Sequence, residues 1–245
     1  MSVPIVNLPN KYAQGLQSAY ATTTTLTIAA GQCRDSTNVY DMVSSAAITL
    51  NAANVGLNGI DTGALAATKM YALYLISDPI SGNATGAILS LSATAPALPS
   101  GYSVFRLIGW WATDGSSHFL AAYTSGDFND RKFFYDAARA TAITAGAATT
   151  YTLVSLVNLV PLINNLVVYL AVSLLPGAAG RTLSLQPATA TGDMITITGQ
   201  VAAVSVTQQL SMLSKINSSL PEIAYKVSNS GDAAAISVYG FDYSI

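Results

Sequence analysis

The sequence predicts an all-β protein: two tandem antiparallel β-sandwiches, jelly-roll-like, behind an extended N-terminal arm. Three observations carry that expectation. Short segments rich in Val, Ile, Thr, Tyr and Trp alternate apolar and polar residues with the period of two that half-buried strands show. Gly, Pro, Asn and Asp clusters punctuate them about every 8–15 residues, a rhythm of sandwiches and barrels rather than of βαβ units. The central stretch Pro96–Gly115, with Met70–Ile76 ahead of it, reads as the middle of a sheet and ends on Asp114-Gly115, a pair that favours a tight hairpin turn. Across 245 residues this gives an arm over 1–20, a sandwich over 21–128, a linker over 129–140 and a second sandwich over 141–245.

The arm contains Pro4, Pro9 and Gly15 without a clear period, and its Ile5, Val6 and Leu8 suit a groove on a neighbour. It is expected to order only in an assembly. Ala21–Ala30 is Thr-rich and alternates, so it reads as one strand. Gly31–Asn38 turns, and Val39–Val43 and Ala47–Leu50 are short strands. Asn51–Ala67 is a loop with turns at Asn58-Gly59 and Asp61–Gly63, with room for a short helix over Gly63–Thr68. Tyr71–Ile76 and Ala87–Ser92 are strands. Pro99 and Gly101 turn the chain into Ser103–Ala112, and His118–Tyr123 is the return strand of that hairpin.

Arg131, Lys132, Asp136 and Arg139 form the tightest group of charges, which reads as an exposed connector. Strands follow at Thr141–Thr144, Thr149–Val157, Val167–Leu174 and Thr182–Gln186, the last two separated by the Pro176-Gly177 turn. Met194–Thr198, Gln200–Val206, Ile223–Val227 and Ile236–Tyr243 alternate as strands, with a turn at Asn229–Gly231. Residues 208–218 have room for one or two helical turns.

The series GLNGIDTGALAATKMYALYLISD (Gly56–Asp78) followed by SATAPALPSGYSVFRLIGWWATDG (Ser92–Gly115) resembles a recurrent module in structural proteins of tailed bacteriophages. TTTTLTIAAGQCRDSTNVYDM (Thr22–Met42) resembles the module's opening, so the likeness covers roughly residues 15–125. A weaker likeness includes IAYKVSNSG (Ile223–Gly231) and VYGFDYSI (Val238–Ile245). The resemblance implies a non-enzymatic virion protein assembled in a host cytoplasm. A head decoration or cement protein on the capsid exterior is the first expectation. The alternative is a tail fibre or baseplate protein that binds a host-surface glycan.

Composition agrees with a subunit rather than a free protein. Hydrophobic residues make up 51% and charged residues only 9%, against about 25% charged in an ordinary soluble domain. Ten basic residues are scattered without a stripe, so nucleic-acid binding through phosphates has no footprint. Cys33 is the single cysteine, which excludes an intrachain disulfide and a multi-cysteine zinc site. The opening MSVPIVNLPNKYAQG lacks the pattern of a signal peptide. Tyr151–Leu175 is long enough to span a bilayer as a helix, but Asn158, Pro161, Asn164 and Asn165 interrupt it, so no membrane span is expected.

Candidate chemistry is sparse. His118, beside Asp114, Ser116 and Ser117, has the residue types of a Ser-His-Asp triad, but neighbours on a hairpin tip diverge and no GxSxG elbow is present. A glycosidase pair would draw on Glu222, the one glutamate, and eleven aspartates. Asp61, Asp78, Asp114, Asp193 and Asp232 sit in turn-forming contexts. Asp127, Asn129 and Asp130 in GDFND fall short of a calcium loop. No catalytic, cofactor-binding or metal-binding residue is therefore expected, and no cofactor.

Adjacent Trp110 and Trp111 should face opposite sides of a strand, one in the core and one toward solvent or a neighbour. Tyr40, Tyr102, Tyr123, Tyr135 and Tyr243 sit near strand ends and suit interfaces. Arg106 should share a face with Val104, Ile108 and Trp110, and if that face is core it needs a carboxylate or carbonyl partner. The expected partners are further copies of this chain, as a homotrimer, and other virion proteins such as the major capsid protein.

Overall fold

A computed structural model describes residue 10 and residues 12–126, 130–136, 140–192 and 194–243. Among these residues there are twenty strands and no helix, as the alternation predicts. The chain forms two compact units, Met1–Phe133 with residues 243–245, and Phe134–Asp242.

The first unit opens with β1 (Ala13–Gly15), β2 (Ser18–Thr22), β3 (Thr25–Ile28), β4 (Gly31–Arg34), β5 (Asp41–Ser44) and β6 (Ile48–Asn51). It continues through β7 (Gly59–Ile60), β8 (Met70–Asp78), β9 (Asn83–Ser90), β10 (Val104–Ala112) and β11 (Ala122–Ser125). β12 (Arg131–Tyr135) contains the boundary between the units. Three ladders result, β1-β4-β5, β10-β8-β9-β7 and β12-β11-β2-β3-β6. All of the registered pairs are antiparallel except β7 with β9. Trp111 anchors the core: it meets Phe119 and Phe133 edge-on, at 5.8 Å between ring centres in both cases, and its Nε1–H donates to the Ser18 hydroxyl at 3.1 Å.

The second unit carries β13 (Ala140–Gly146), β14 (Thr152–Ser155), β15 (Leu166–Leu175), β16 (Arg181–Pro187), β17 (Ile195–Gly199), β18 (Val206–Asn217), β19 (Leu220–Val227) and β20 (Ala233–Tyr243). Its layers are sandwich-like. One runs β17-β16-β19 with β14 on β19, the other β18-β15-β20 with β13 on β20. The long β18 serves both, pairing with β15 over Val206–Ser214 and with β19 over Lys215–Asn217. Val168, Leu170, Val172, Ile236, Val238 and Phe241 supply wholly buried side chains, alternating as a half-buried ladder requires.

Several expectations fail for identifiable reasons. The Thr-rich strand is a hairpin, because the Thr22 hydroxyl accepts the Thr25 N–H at 3.1 Å and closes a turn between β2 and β3. β4 forms where a turn is expected. The arm's residues 13–15 and 18–20 lie in β1 and β2, while 1–9 and 11 are outside the described residues. His118–Tyr123 returns beside β10 only briefly: Thr113 and Phe119 bridge and the Leu120 N–H donates to the Ala112 carbonyl at 3.0 Å, but Ser117 takes a left-handed φ of 61° and Ala122–Tyr123 belong to β11, which pairs with β2. No helix forms over Gly63–Thr68.

The exposed connector is overturned as well. Arg131–Tyr135 is strand β12 and Arg131 is wholly buried; Arg139 lies outside the described residues. Gln200–Val206 is mostly turn, with the Ala203 N–H donating to the Pro176 carbonyl at 2.8 Å. Residues 208–217 extend as β18 because Leu210, Met212 and Ser214 turn inward with a period of two.

β10 departs from simple alternation. The register slips between Leu107 and Gly109, which makes Ile108 an extra residue, a β-bulge. Pairing with Leu75, Leu73 and Tyr71 then puts Arg106 on the face of Gly109 and Trp111, and Trp110 on the other. Both faces are covered: Trp110 and Trp111 are each buried, which corrects the expectation that one meets solvent.

Candidate functional site

The first unit gathers its ionisable groups around Cys33. Arg34 and Cys33 come from β4, Asp35 follows them, Asp41 opens β5, Arg106 lies on β10 and Arg131 on β12. Arg34 Nε stands 3.3 Å from Asp41 Oδ1, and its Nη2 donates to the Asn38 carbonyl. The Asp35 carboxylate accepts the Val39 and Tyr40 N–H groups at 2.7 Å each, the Thr37 N–H at 3.0 Å, and the Thr37 hydroxyl. Arg106 Nη1 donates to the Asp35 carbonyl at 3.5 Å, a carbonyl partner of the kind a buried Arg106 needs. Arg131 donates from Nη2 to the Gly15 carbonyl at 2.7 Å and from Nη1 to the Leu16 carbonyl at 3.0 Å.

That last contact holds an unusual piece of backbone. Gly15 and Leu16 both take left-handed φ angles, 69° and 60°. Glycine does so freely, but a buried leucine is strained there and persists only where its surroundings enforce it. A rigid guanidinium fork suits two successive carbonyls, where a lysine would present only a point charge.

The chemistry of this cluster is closed. Burial pushes the Cys33 thiol up to about 12; the pull of Arg106 and Arg131 offsets only part of that, and Asp35 and Asp41 push the same way as burial. A protonated, buried thiol is not a nucleophile. Burial also lowers the Arg106 pKa from its ordinary value. For Asp35, burial raises the carboxyl, but the donors from Thr37, Tyr40 and Val39 outweigh it and the net shift is downward. These groups fix a loop and a core.

The other candidates separate. His118 Nδ1 is 3.7 Å from Asp114 Oδ2 at an exposed loop, while Asp114 Oδ1 accepts the Ser116 N–H at 2.8 Å and the His118 N–H at 2.9 Å. The last of these, with the Ser116 N–H, holds the Asp114 carboxyl below its ordinary range. Among the described residues no serine hydroxyl is joined to the imidazole, and Asp114 closes a turn through the Ser116 and His118 N–H groups. Glu222 is buried, with its Oε2 accepting Asn217 Nδ2 at 2.8 Å. Asp78 accepts the Ile80 and Ser81 N–H groups at 3.0 and 3.2 Å, and Asp232 accepts the Gly177 N–H at 2.8 Å. Asp61 accepts the Thr62 N–H at 2.7 Å. Each carboxylate serves a turn. Asp127, Asn129 and Asp193 lie outside the described residues, and Asp130 faces Lys132 at 3.6 Å. Among the described residues no three His, Cys, Asp or Glu side chains converge as a metal site would require, and no helix is long and apolar enough to cross a membrane.

The tyrosines divide. Tyr40 and Tyr123 are exposed, Tyr102 gives its hydroxyl to the Ala84 carbonyl at 2.9 Å, and Tyr135 and Tyr243 are buried. Burial drives the Tyr135 and Tyr243 phenols well above their ordinary range. Two open grooves lie on the first unit. One, of about 530 Å³, is lined by Gln14, Gln17 and Gln32. Tyr12 orders two of these amides, donating to Gln14 Oε1 at 2.7 Å and accepting from Gln32 Nε2 at 3.3 Å. The other, of about 520 Å³, lies between Ile48–Thr49 and Asn83–Thr85.

Large apolar side chains stand exposed on both units. Val39, Val55, Ile80 and Leu91 are exposed on the first unit, and Leu162, Met194, Val201 and Val204 on the second. Charge, meanwhile, has gone inside: Arg34, Asp35, Asp78, Arg106, Arg131, Glu222 and Asp232 are all buried. Sequence reasoning missed Arg131 although the signal was present. In RKFFY the residues Arg131, Phe133 and Tyr135 share one strand face, and the two aromatics mark it as the inner one. No protein-family model matches this chain, no curated protein matches its sequence, and no solved structure matches its fold.

Proposed function

We propose that this protein is a non-enzymatic structural subunit of a tailed-phage virion, a homotrimeric decoration or cement protein on the capsid exterior. The likeness of residues 15–125 to phage structural modules supplies the class. The observation that carries the subunit reading is the surface. Of 22 charged residues seven are buried, which leaves at most fifteen to solubilise 245 residues while large aliphatic side chains stand exposed on both units. Where such side chains join into contiguous apolar patches they mark contact sites, and symmetric assembly hides them.

Two measurements test this. Quantitative mass spectrometry of purified particles gives copy number: hundreds of copies fit a head protein, and a handful a tail component. Light scattering gives the assembly state: a well-behaved monomer at micromolar concentration sinks the trimer and its explanation of the composition. A second reading, a fibre or baseplate protein that binds a host glycan, is favoured by the groove lined by Gln14, Gln17 and Gln32. Its ordered, uncharged amides suit neutral hydroxyl-rich ligands.

A further inference from the structure

The second groove of the first unit continues a strand position that the fold occupies only at one end. There the Asn51 N–H donates to the Asn58 carbonyl at 2.8 Å and the Asn58 N–H to the Ala87 carbonyl at 2.9 Å, so residue 58 lies between β6 and β9. Beyond it the groove opens, with Ile48 and Thr49 on one wall and Asn83, Ala84 and Thr85 on the other. Ladder alternation fixes what the β6 wall presents. The Ala52 N–H points to β3, at the Thr24 carbonyl, and the Asn51 N–H points away. Thr49, two residues before Asn51 and paired with Thr27, therefore also turns its N–H and C=O away from β3 and into the groove. Among the described residues neither group has a partner. An open edge of this kind is a template for another strand.

We propose that the groove receives, as an added strand, residues 5–8 of the N-terminal segment of a second copy of this chain. Residues 1–9 lie outside the described residues, and their sequence, MSVPIVNLP, has no charged side chain. The groove lining has none either. Pro4 and Pro9 leave four residues between them, Ile5–Leu8, the length of β6. Thr49 offers one N–H and one C=O, which a single residue of an antiparallel added strand would meet, and Pro4 and Pro9, which have no N–H, lie outside Ile5–Leu8.

The register argues for a second copy. β1 pairs Gly15 with Gly31 and Ala13 with Cys33, and β4 pairs Gly31 with Ser44 and Cys33 with Met42. Followed back from Gly15 to Tyr12, the chain moves toward the Asp41 end of β5, away from the groove that begins at Val43–Ser44.

The test uses the full-length chain, with sedimentation velocity reading its self-association. Excess blocked peptide MSVPIVNLP is expected to dissociate the assembly. A peptide N-methylated at Ile5, Val6, Asn7 and Leu8 should need about tenfold more for the same effect, since it can donate to neither wall. An assembly indifferent to the parent peptide, a monomeric chain, or equal competition by the parent and the methylated peptide overturns the proposal. Copy number in particles is measured separately, so the groove can fail while the virion reading stands.

Discussion

Arg131→Met isolates the most consequential burial in the chain. A residue in an exposed connector tolerates this change within about 0.5 kcal/mol. The structure instead puts Arg131 at zero exposure, with two guanidinium nitrogens on the Gly15 and Leu16 carbonyls. Hydrogen bonds to a charged group contribute about 1.5–3 kcal/mol each, so losing both and leaving the two carbonyls buried without these donors costs about 3–5 kcal/mol. Methionine fills much of the same volume, so packing adds little and the loss is expected at about 3–5 kcal/mol. That is a large share of the roughly 5–15 kcal/mol that holds a domain folded.

Both tryptophans, Trp110 and Trp111, lie in the first unit, so their emission during urea unfolding reports that unit alone. Arg131→Lys should fall between the wild type and Arg131→Met, because an ammonium cannot bridge two successive carbonyls as the fork does. An unfolding midpoint for Arg131→Met within about 0.5 kcal/mol of wild type would refute the burial and with it the account of how Leu16 is held in its left-handed conformation.

Other outcomes follow from the same geometry. Cys33, with its thiol pushed up to about 12, should resist thiol reagents at neutral pH and label only as fast as the first unit unfolds. Asp35, Asp78 and Asp114 have folded pKa values below the ordinary 3.8, so their stabilisation is complete above about pH 3.8 and is lost as pH falls through the folded values. Asp35→Ala should flatten part of that acid limb in a pH series of unfolding midpoints, and lower stability by about 2–4 kcal/mol through orphaned N–H groups on the 36–40 loop. Gly15→Ala places a Cβ 2.3 Å from the Ala30 carbonyl oxygen at φ 69°, and should yield little folded protein in an expression and circular-dichroism check. Among the described residues the Trp110 Nε1–H has no partner while that of Trp111 has Ser18, so Trp110→Phe should cost less stability than Trp111→Phe in matched melts.

The strands were legible where one signal decided them. β8, β15, β19 and β20 alternate or run apolar over eight or more residues, and their expected positions agree to within a few residues. What was not legible needed information from elsewhere in the chain. A Thr run is equally a strand or a hairpin until a hydroxyl such as that of Thr22 is seen to cap a turn. The bulge at Ile108 changes which residues share a face with Arg106, and no local pattern announces it. Gln200–Val206 has the composition of a strand, but its backbone is drawn to Pro176 instead. For the site, Asp35 carries the D-S-T-N signature of a side chain that caps its own loop, whereas its nearness to Arg106, far along the sequence, arises only from the fold.

Where the charges reside alters the argument from composition. A charge fraction of 9% already sets this chain apart, yet it overstates what solvent meets, because the three arginines buried among the described residues serve backbone carbonyls and a neighbouring carboxylate. Using guanidinium groups to tie loops and left-handed backbone into a β-fold takes those charges out of water, while Val39, Val55, Ile80 and Leu91 remain outside. A protein selected to circulate as a monomer gains nothing from this distribution. A subunit that meets neighbours on several sides gains on both counts, since interior arginines stiffen the fold while a charge-poor exterior lowers the desolvation cost of each contact. The proposed trimer follows from that distribution of charge.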